Sequence, residues 1–505
     1  MITACACRRY RSLFLLGACT FIAGGTLAQD GVLDLTFSGD GQVGFLQQIP
    51  DVSTTEILET GGKIFAVLSA VNGTTASFIL KMNEAGSFDN SFDADGILEF
   101  PNLGLYDAAL SLDGSRIFVL KGDADGYQIG SIDLNGITLQ PWTPLLMPGG
   151  PGFAKMLVDD EGRIIIGGRG TNNGEGCVQV NRFNADFTTD NTFGTNGVAY
   201  SPPAVMCYPL MEMDNLGRIV LGSYQPSCAG LWRFNADGTY DNTFNYTLDL
   251  SVYSLDNWIL DIAIANDNSI YLQPNTWGWP AYLFKLLENG SLDTGFGTGG
   301  RLDLSDTDPN YYTAPDELLI EPNGGLIVLA QAYNTNGYMS AKYLTRLDAF
   351  GVVDPEFNPG VQPIDDNGFD LRINFHCATL QDDGKVLSMD QVVTWQNGTL
   401  FGYAPLITRF NNEKGAVIAS VNDAGPRVEE MMAYPNPTQG QAILRLPGLG
   451  MVRNATITIT NTIGAVVQRT QLMDERIDLS ALPGGVYHCS VEHEGGSLHT
   501  RIVKE

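Results

Sequence analysis

Few residues of this chain have the types and spacing that chemistry needs. Of its 4 histidines, His376 lies in the main body beside Cys377, while His488, His493 and His499 fall near the C-terminus. A Ser–His–Asp or Cys–His mechanism would have to run through His376, which the sequence otherwise places as a structural residue of a strand. Carboxylates are abundant, with pairs at Asp93/Asp95, Asp123/Asp125, Asp365/Asp366 and Asp382/Asp383. A glycosidase needs two carboxyls across one cleft at a defined separation, and adjacency in sequence does not select such a pair. The Asp-x-Asp-Gly segments at 93–96 and 123–126 invite a calcium reading. A calcium loop also needs a bidentate acid and further oxygen ligands at fixed offsets, and turn formation by Asp and Gly accounts for both segments. No catalytic residue, metal site or cofactor is therefore assigned, and calcium alone is left open.

Binding chemistry is better represented. Trp277 and Trp279 stand in NTWGWPAY, Tyr311 and Tyr312 in DPNYYT, Tyr338 in NTNGY and Trp395 in TWQNG. Rings beside Asn and Gly suit stacking on sugar rings or docking of a protein; the alternative use for them is to cover neighbouring loops. The formal charge of −29 argues against nucleic acid and anionic lipid as partners, and leaves a divalent cation or a neutral glycan open.

The elements that position these residues repeat. Gly-x-x-Asp-x-x-Phe, with Phe187 in place of the Gly in one copy, recurs with the pairs Asp34 and Phe37, Asp89 and Phe92, Asp190 and Phe193, Asp241 and Phe244, Asp293 and Phe296, and Asp354 and Phe357. Eroded copies stand at Gly136, Leu139 and Trp142 and at Gly415, Ile418 and Val421, so eight copies bracket seven intervals. Each interval also holds a turn followed by an apolar strand (GGKIFAVL, DGSRIFVL, EGRIIIGG, LGRIVLGS, DNSIYLQP, NGGLIVLA, DGKVLSMD), then an alternating strand closing on a polar or basic residue (VQVNRF, GLWRF, YLFKL, YLTRL, LITRF). Four short strands per repeat predict an all-β fold, a seven-bladed β-propeller over residues 29–425. The repeated Asp is expected to accept backbone N–H bonds and the Phe to wedge between blades. Gly31–Phe37 is expected to supply the outer strand of the seventh blade. The first and third turns of each blade read as tight, and the second turns and blade-to-blade connections as long, so one face should carry the variable loops where binding sits.

The combination of L-D-x-x-F-G-x-G-G with D-G-[KR]-[IV] resembles the delta-60-type repeats of secreted bacterial propellers. That resemblance implies a fold and no reaction.

Both ends of the chain read as export signals. Residues 1–28 carry Arg8, Arg9 and Arg11, an apolar stretch from Leu13 to Ile22, and small residues ending at Ala28, the pattern of a signal peptide. The run Leu16-Gly17-Ala18-Cys19 is a lipoprotein-box rival. No other stretch is long and apolar enough for a membrane helix. Beyond a linker at 426–431, residues 432–505 open on Tyr434-Pro435-Asn436-Pro437, pass through Gly485 and Tyr487, and end near Lys504. Alternating segments such as ATITIT predict a small β-sandwich. The module resembles the type A C-terminal sorting domain of the type IX secretion system, which implies that machinery as a partner and a secreted or cell-surface location in a gram-negative bacterium. In that compartment one disulfide is expected: Cys207 with Cys228 is the first choice, and Cys177 with Cys228 the geometric rival. The reading of the whole is a non-enzymatic binding or adhesion propeller for polysaccharide or extracellular protein. The alternative is a polysaccharide hydrolase or lyase using carboxylates at the channel mouth.

Overall fold

The computed structural model describes residues 30–44, 52–70, 76–123, 126–145, 154–204, 209–223, 230–253, 255, 259–274, 281–304, 311–334, 339–355, 357, 362–363, 370–396, 399–412, 432–434, 438–445, 456–461, 466–471, 476–493 and 496–504; side chains at several strand ends, among them 311–316, 332–341, 371–376 and 392–403, are outside it. The chain divides into two compact units, Met1–Ile418 and Ala419–Glu505. The signal-peptide reading at 1–28 lies outside the described residues.

The larger unit holds seven antiparallel sheets among its described residues. In chain order these are Val52–Thr60, Lys63–Ala70, Ala76–Met82 and Ile97–Pro101; Gly104–Leu110, Arg116–Asp123, Gly126–Asp133 and Thr138–Leu145; Ala154–Val158, Ile164–Asn172, Glu175–Phe183 and Val198–Tyr200; Pro209–Met213, Ile219–Ser223 and Leu231–Phe234; Ile259–Ile264, Ile270–Pro274, Tyr282–Leu286 and Arg301–Asp303; Tyr311–Ile320, Leu326–Asn334, Met339–Leu347 and Gln362–Pro363; and Asp370–Leu380, Val386–Gln396 and Thr399–Phe410 with Gln42–Gly44. Second strands are near-continuous apolar runs, because a strand with sheet neighbours on both edges and packed sheets on both faces meets no water. Ile64, Phe65, Ala66, Val67 and Leu68 are all fully buried. First strands neighbour one another in chain order, and that of the seventh sheet lies against that of the first.

Two expectations are corrected. The outer strand of the seventh sheet is Gln42–Gly44, paired with Leu406–Thr408; Gly31–Phe37 instead forms a turn against its partner strand, through a Leu33–Phe410 bridge and an Asp34 N–H bond to the Arg409 carbonyl. In each of sheets one, three and five the repeat motif is likewise a turn, and the fourth strand starts several residues beyond the Phe. Glycines four residues after Phe37, Phe92, Phe193 and Phe296 explain this. Gly41, Gly96, Gly197 and Gly300 have φ of 86°, 89°, 83° and 93°, close the turn on the Phe carbonyl, and turn their own carbonyls to the N–H groups of Arg409, Lys81, Arg182 and Lys285. Nor are all connections between sheets long: only Asn102 and Leu103 join the first sheet to the second.

The smaller unit has two sheets, Met432–Tyr434, Gln441–Arg445 and Arg476–Asp478, and Thr456–Asn461, Val466–Gln471, Gly485–His493 and Gly496–Lys504. Both contribute to one core around Leu444, Ile457, Ile459, Leu479 and Ile502.

Candidate functional site

The repeated Asp and Phe meet a third residue, the basic one that closes the alternating strand. Arg182, Arg233, Arg346 and Lys81 stand eight residues before Asp190, Asp241, Asp354 and Asp89, and pair with them at 2.7, 2.7, 2.7 and 3.1 Å. The seventh sheet makes the same pair across the ends of the unit, Arg409 to Asp34 at 2.8 Å. The second oxygen of Asp34, Asp89, Asp190 and Asp241 accepts the N–H and hydroxyl of the residue two positions on, as it does from Thr192 at 3.0 and 2.6 Å in Asp190. Burial raises the proton affinity of Asp34, Asp190 and Asp241, yet these hydrogen bonds and the guanidinium outweigh it, and all three titrate below the usual carboxylate range. Arg182, Arg233, Arg346 and Arg409 also cover the rings of Phe193, Phe244, Phe357 and Phe37 at 4.5–4.7 Å.

These cations reach the next sheet as well. Lys81 donates to the Leu134 carbonyl at 2.7 Å, Arg182 to Ala236 at 2.6 Å and Lys285 to Ala349 at 3.1 Å; Arg233 and Arg409 donate to the carbonyls of Glu288 and Glu84. The Phe makes the same crossing. A Cβ on Gly86, Gly136, Gly290 or Gly351 would stand 2.8, 3.3, 2.8 or 2.8 Å from the ring of Phe37, Phe92, Phe244 or Phe296 in the preceding repeat. Between the second and third sheets the eroded copy has lost both charges together, with Ser131 in the place of the base and Leu139 in that of the acid; Trp142 packs edge-on against Phe100 at 6.0 Å instead. Gly136 persists, because Phe92 and a φ of 86° still require it. The eroded copy at 415–421 lies outside the described residues.

A second constellation lies on the neighbouring first strands. The strand registers make Glu56, Asp107, Lys155, Leu210, Asp261, Glu317 and Cys377 equivalent positions. Bulges just before Glu56, Asp107, Asp261 and Glu317 free backbone N–H groups there. Asp107 accepts its own strand's Ala108 N–H at 3.0 Å and the next sheet's Met156 N–H at 2.6 Å; Asp261 does the same with Ile262 and Leu318, both at 2.8 Å. Lys155 Nζ stands 3.8 Å from Glu56 and 3.7 Å from Asp107. Burial holds Glu56 up at about 7, with Lys155 opposing, and Asp261 at about 7 against the pull of the Leu318 and Ile262 amides. Glu212, two residues beyond Leu210, is pushed to about 8 by burial and then by Asp261 and Glu56. Burial, then Glu56 and Glu317, also keep the Cys377 thiol protonated. Carboxyls held protonated near neutrality can donate protons or hydrogen bonds. The sequence signal for them was one acid per repeat, four residues before the first turn, and it is interrupted at Lys155, Leu210 and Cys377.

The aromatic candidates are met only by their backbone. Tyr311 and Tyr312 pair with Asn334 and Tyr333 at the start of the sixth sheet's first strand, and Trp395 pairs with Asp370 and Leu400 in the seventh. Trp277, Trp279 and Tyr338 lie outside the described residues, as do Cys207, Cys228 and Pro435–Pro437. Cys177 is a buried thiol, and its rival partner Cys228 is not described. Asp95 accepts the Ile97 N–H at 2.9 Å as a turn residue. Among the described residues no group of three or more His, Cys, Asp or Glu side chains is arranged to hold a metal ion, and no helix is long and apolar enough to cross a membrane. In the smaller unit the Tyr487 hydroxyl donates to the Pro483 carbonyl at 2.7 Å, and Lys504 Nζ donates to the Ser480 carbonyl at 3.1 Å and to that of Leu482.

Residues 432–505 match the secretion system C-terminal sorting domain, and residues 162–193 and 217–244 match the domain of unknown function (DUF5122) beta-propeller. No curated protein matches the sequence. Similar solved structures include PorZ, a bacterial surface component of the type-IX secretion system of Porphyromonas gingivalis, at 15% identity over 89% of this chain and 59% of that one, TM-score 0.40. The polysaccharide lyase Uly1 is similar at 10% identity over 72% and 90%, TM-score 0.44, and a functionally unknown protein from Desulfotomaculum acetoxidans at 12% over 62% and 90%, TM-score 0.37. This chain thus spans 59% of the length of PorZ. The chain carries DUF5122 β-propeller repeats and a type IX C-terminal sorting domain, and is secreted by or displayed on a gram-negative bacterium.

Proposed function

We propose that the larger unit is a seven-bladed propeller of delta-60-type repeats, released from a leader at residues 1–28, that binds polysaccharide or an extracellular protein. The observation carrying this reading is the length of two first strands. The first strand of sheet two, described on both flanks, runs Gly104–Leu110, whereas those of sheets six and seven run Tyr311–Ile320 and Asp370–Leu380. The extra residues extend beyond the bulges, away from the tight first turns, and bring the backbones of Tyr311, Tyr312 and Trp395 to one end of two consecutive sheets. In sequence, Trp277 and Trp279 fall between the second and third strands of sheet five, and Tyr338 between those of sheet six. Variable segments mounted on a rigid repeat are where recognition concentrates. Replacing Trp277 and Trp279 together by Ala is expected to weaken binding to an arrayed glycan or captured protein at least about tenfold, or ~1.4 kcal/mol, with an unchanged melting temperature. A large fall in melting temperature with affinity intact overturns the reading, since truncating a buried Trp costs about 3–5 kcal/mol.

The protonated inner acids favour a second reading, hydrolysis or elimination at a channel mouth. It requires Glu212→Gln to abolish release of reducing or unsaturated ends from a polysaccharide panel; unchanged release removes Glu212 from that role.

A further inference from the structure

The junction of the fourth and fifth sheets departs from the repeat. Leu248 stands four residues after Phe244, where a glycine of positive φ turns the chain into a fourth strand in sheets one, three, five and seven. A leucine pays a steric penalty in that conformation, and the fourth sheet has only three strands among the described residues. Phe244 is half-buried, whereas Phe37, Phe92, Phe193 and Phe357 are fully buried. An open cleft of about 470 Å³ lies at this junction, on the side of the tight turns and away from the aromatic end.

Its walls are fixed by bonds between the two sheets. Arg218 joins Asp214 at 2.6 Å in its own turn and Glu288 at 2.7 Å across the cleft. Arg233 is held by Asp241 at 2.7 Å and by the Glu288 carbonyl. Asn215 bonds the opposite turn twice, to Asn268 Oδ1 at 3.1 Å and to the Asn266 carbonyl at 2.9 Å. Walls held this way lose little freedom when a ligand arrives. Both guanidinium groups are neutralised by acids in the wall, so the cleft offers no unopposed charge to an anion. It presents the Asp267 carboxylate from one turn, to which buried Ser269 donates its hydroxyl, and Asn289 from another, beside Leu287, which is 45% exposed. Polar edges around a small apolar surface complement a pyranose, which carries hydroxyls at its rim and C–H groups on its face.

We propose that this cleft is a carbohydrate-binding subsite for one or two neutral sugar residues, separate from the aromatic end. Ligand-observed NMR on the full mature chain with maltohexaose, cellohexaose, mannohexaose and a chondroitin sulfate hexasaccharide tests it. At least one neutral hexasaccharide is expected to bind, with Kd raised about tenfold or more by Leu287→Ala with Glu288→Ala, and likewise by Asp267→Asn, which keeps an oxygen acceptor for the Ser269 turn. Trp277→Ala with Trp279→Ala, measured in parallel, separates this cleft from the aromatic end, and melting curves of every variant should overlay the parent's. Absence of binding by all three neutral sugars, preference for the sulfated one, or loss of binding in the Trp variant alone overturns the proposal. The last result would support the aromatic end while removing this cleft.

Discussion

Each basic residue closing an alternating strand serves several partners at once. Arg182 neutralises Asp190, bonds Thr192, reaches the Ala236 carbonyl of the next sheet and covers Phe193. Replacing it by Met strands a buried carboxylate, so Arg182→Met is expected to cost about 3–5 kcal/mol in urea denaturation. Adding Asp190→Asn should recover part of that loss. Acid titration supplies the sign. Asp34, Asp190 and Asp241 have folded proton affinities below their ordinary values, so their stabilisation is complete above the ordinary carboxylate range and is lost as pH falls through the folded values. Arg182→Met should therefore shift acid unfolding to higher pH. The inner acids run the opposite way. Glu56 and Asp261 at about 7 and Glu212 at about 8 hold protons in the folded state that the unfolded chain has released. Their contribution is complete below the ordinary carboxylate range and declines as pH rises toward those values, and Glu212→Gln should flatten the fall in melting temperature between about pH 5 and 9.

At the scale of elements, the wedge between sheets is the Phe of the repeat, and its cost of removal should follow its burial. Phe37→Ala is expected to lose about 3–5 kcal/mol, and Phe244→Ala clearly less, because Phe244 already meets solvent; equal losses in urea denaturation would contradict that. These residues also show what sequence can reveal. The Gly-x-x-Asp-x-x-Phe period, the tight Gly turns and the apolar second strands were legible because each depends on neighbours a few positions away. The fourth strand was misplaced onto the motif because the apolar alternation of GVLDLTF looks like a strand, whereas its Asp binds the residue two positions on and bends the chain. The basic residue was visible at the end of VQVNRF, but its roles were not, since the carbonyl it reaches lies 54 residues away. Inner acids were hidden because their proximity arises from a ring of first strands and from bulges, neither of which leaves a local signature. The aromatic candidates were legible as composition, and among the described residues the topology brings only the backbones of Tyr311, Tyr312 and Trp395 to a common end.

The two compact units separate what the molecule displays from how it leaves the cell. Removing residues 432–505 should leave the larger unit with its melting temperature unchanged, measured on protein from the periplasm, while surface delivery is lost; delivery of the shortened chain would contradict the role given to the C-terminal unit. The pairing of Gln42–Gly44 with Leu406–Thr408, fastened by Arg409 on Asp34 at a sequence separation of 375, also bears on timing. Closing a loop of that length costs about 5 kcal/mol of chain entropy, and the contact has no partner until the far strand exists. At synthesis rates of about 5–20 residues per second, Asp34 waits on the order of 20–75 seconds for Arg409 to be made. Throughout that interval Gln42–Gly44 has no sheet to join and the ring has a gap, so passage across the inner membrane during synthesis would involve a chain not yet able to lock itself shut. Moving the latch to the C-terminus by circular permutation should remove that delay, and pulse-chase export assays would then show folded precursor trapped inside the cell.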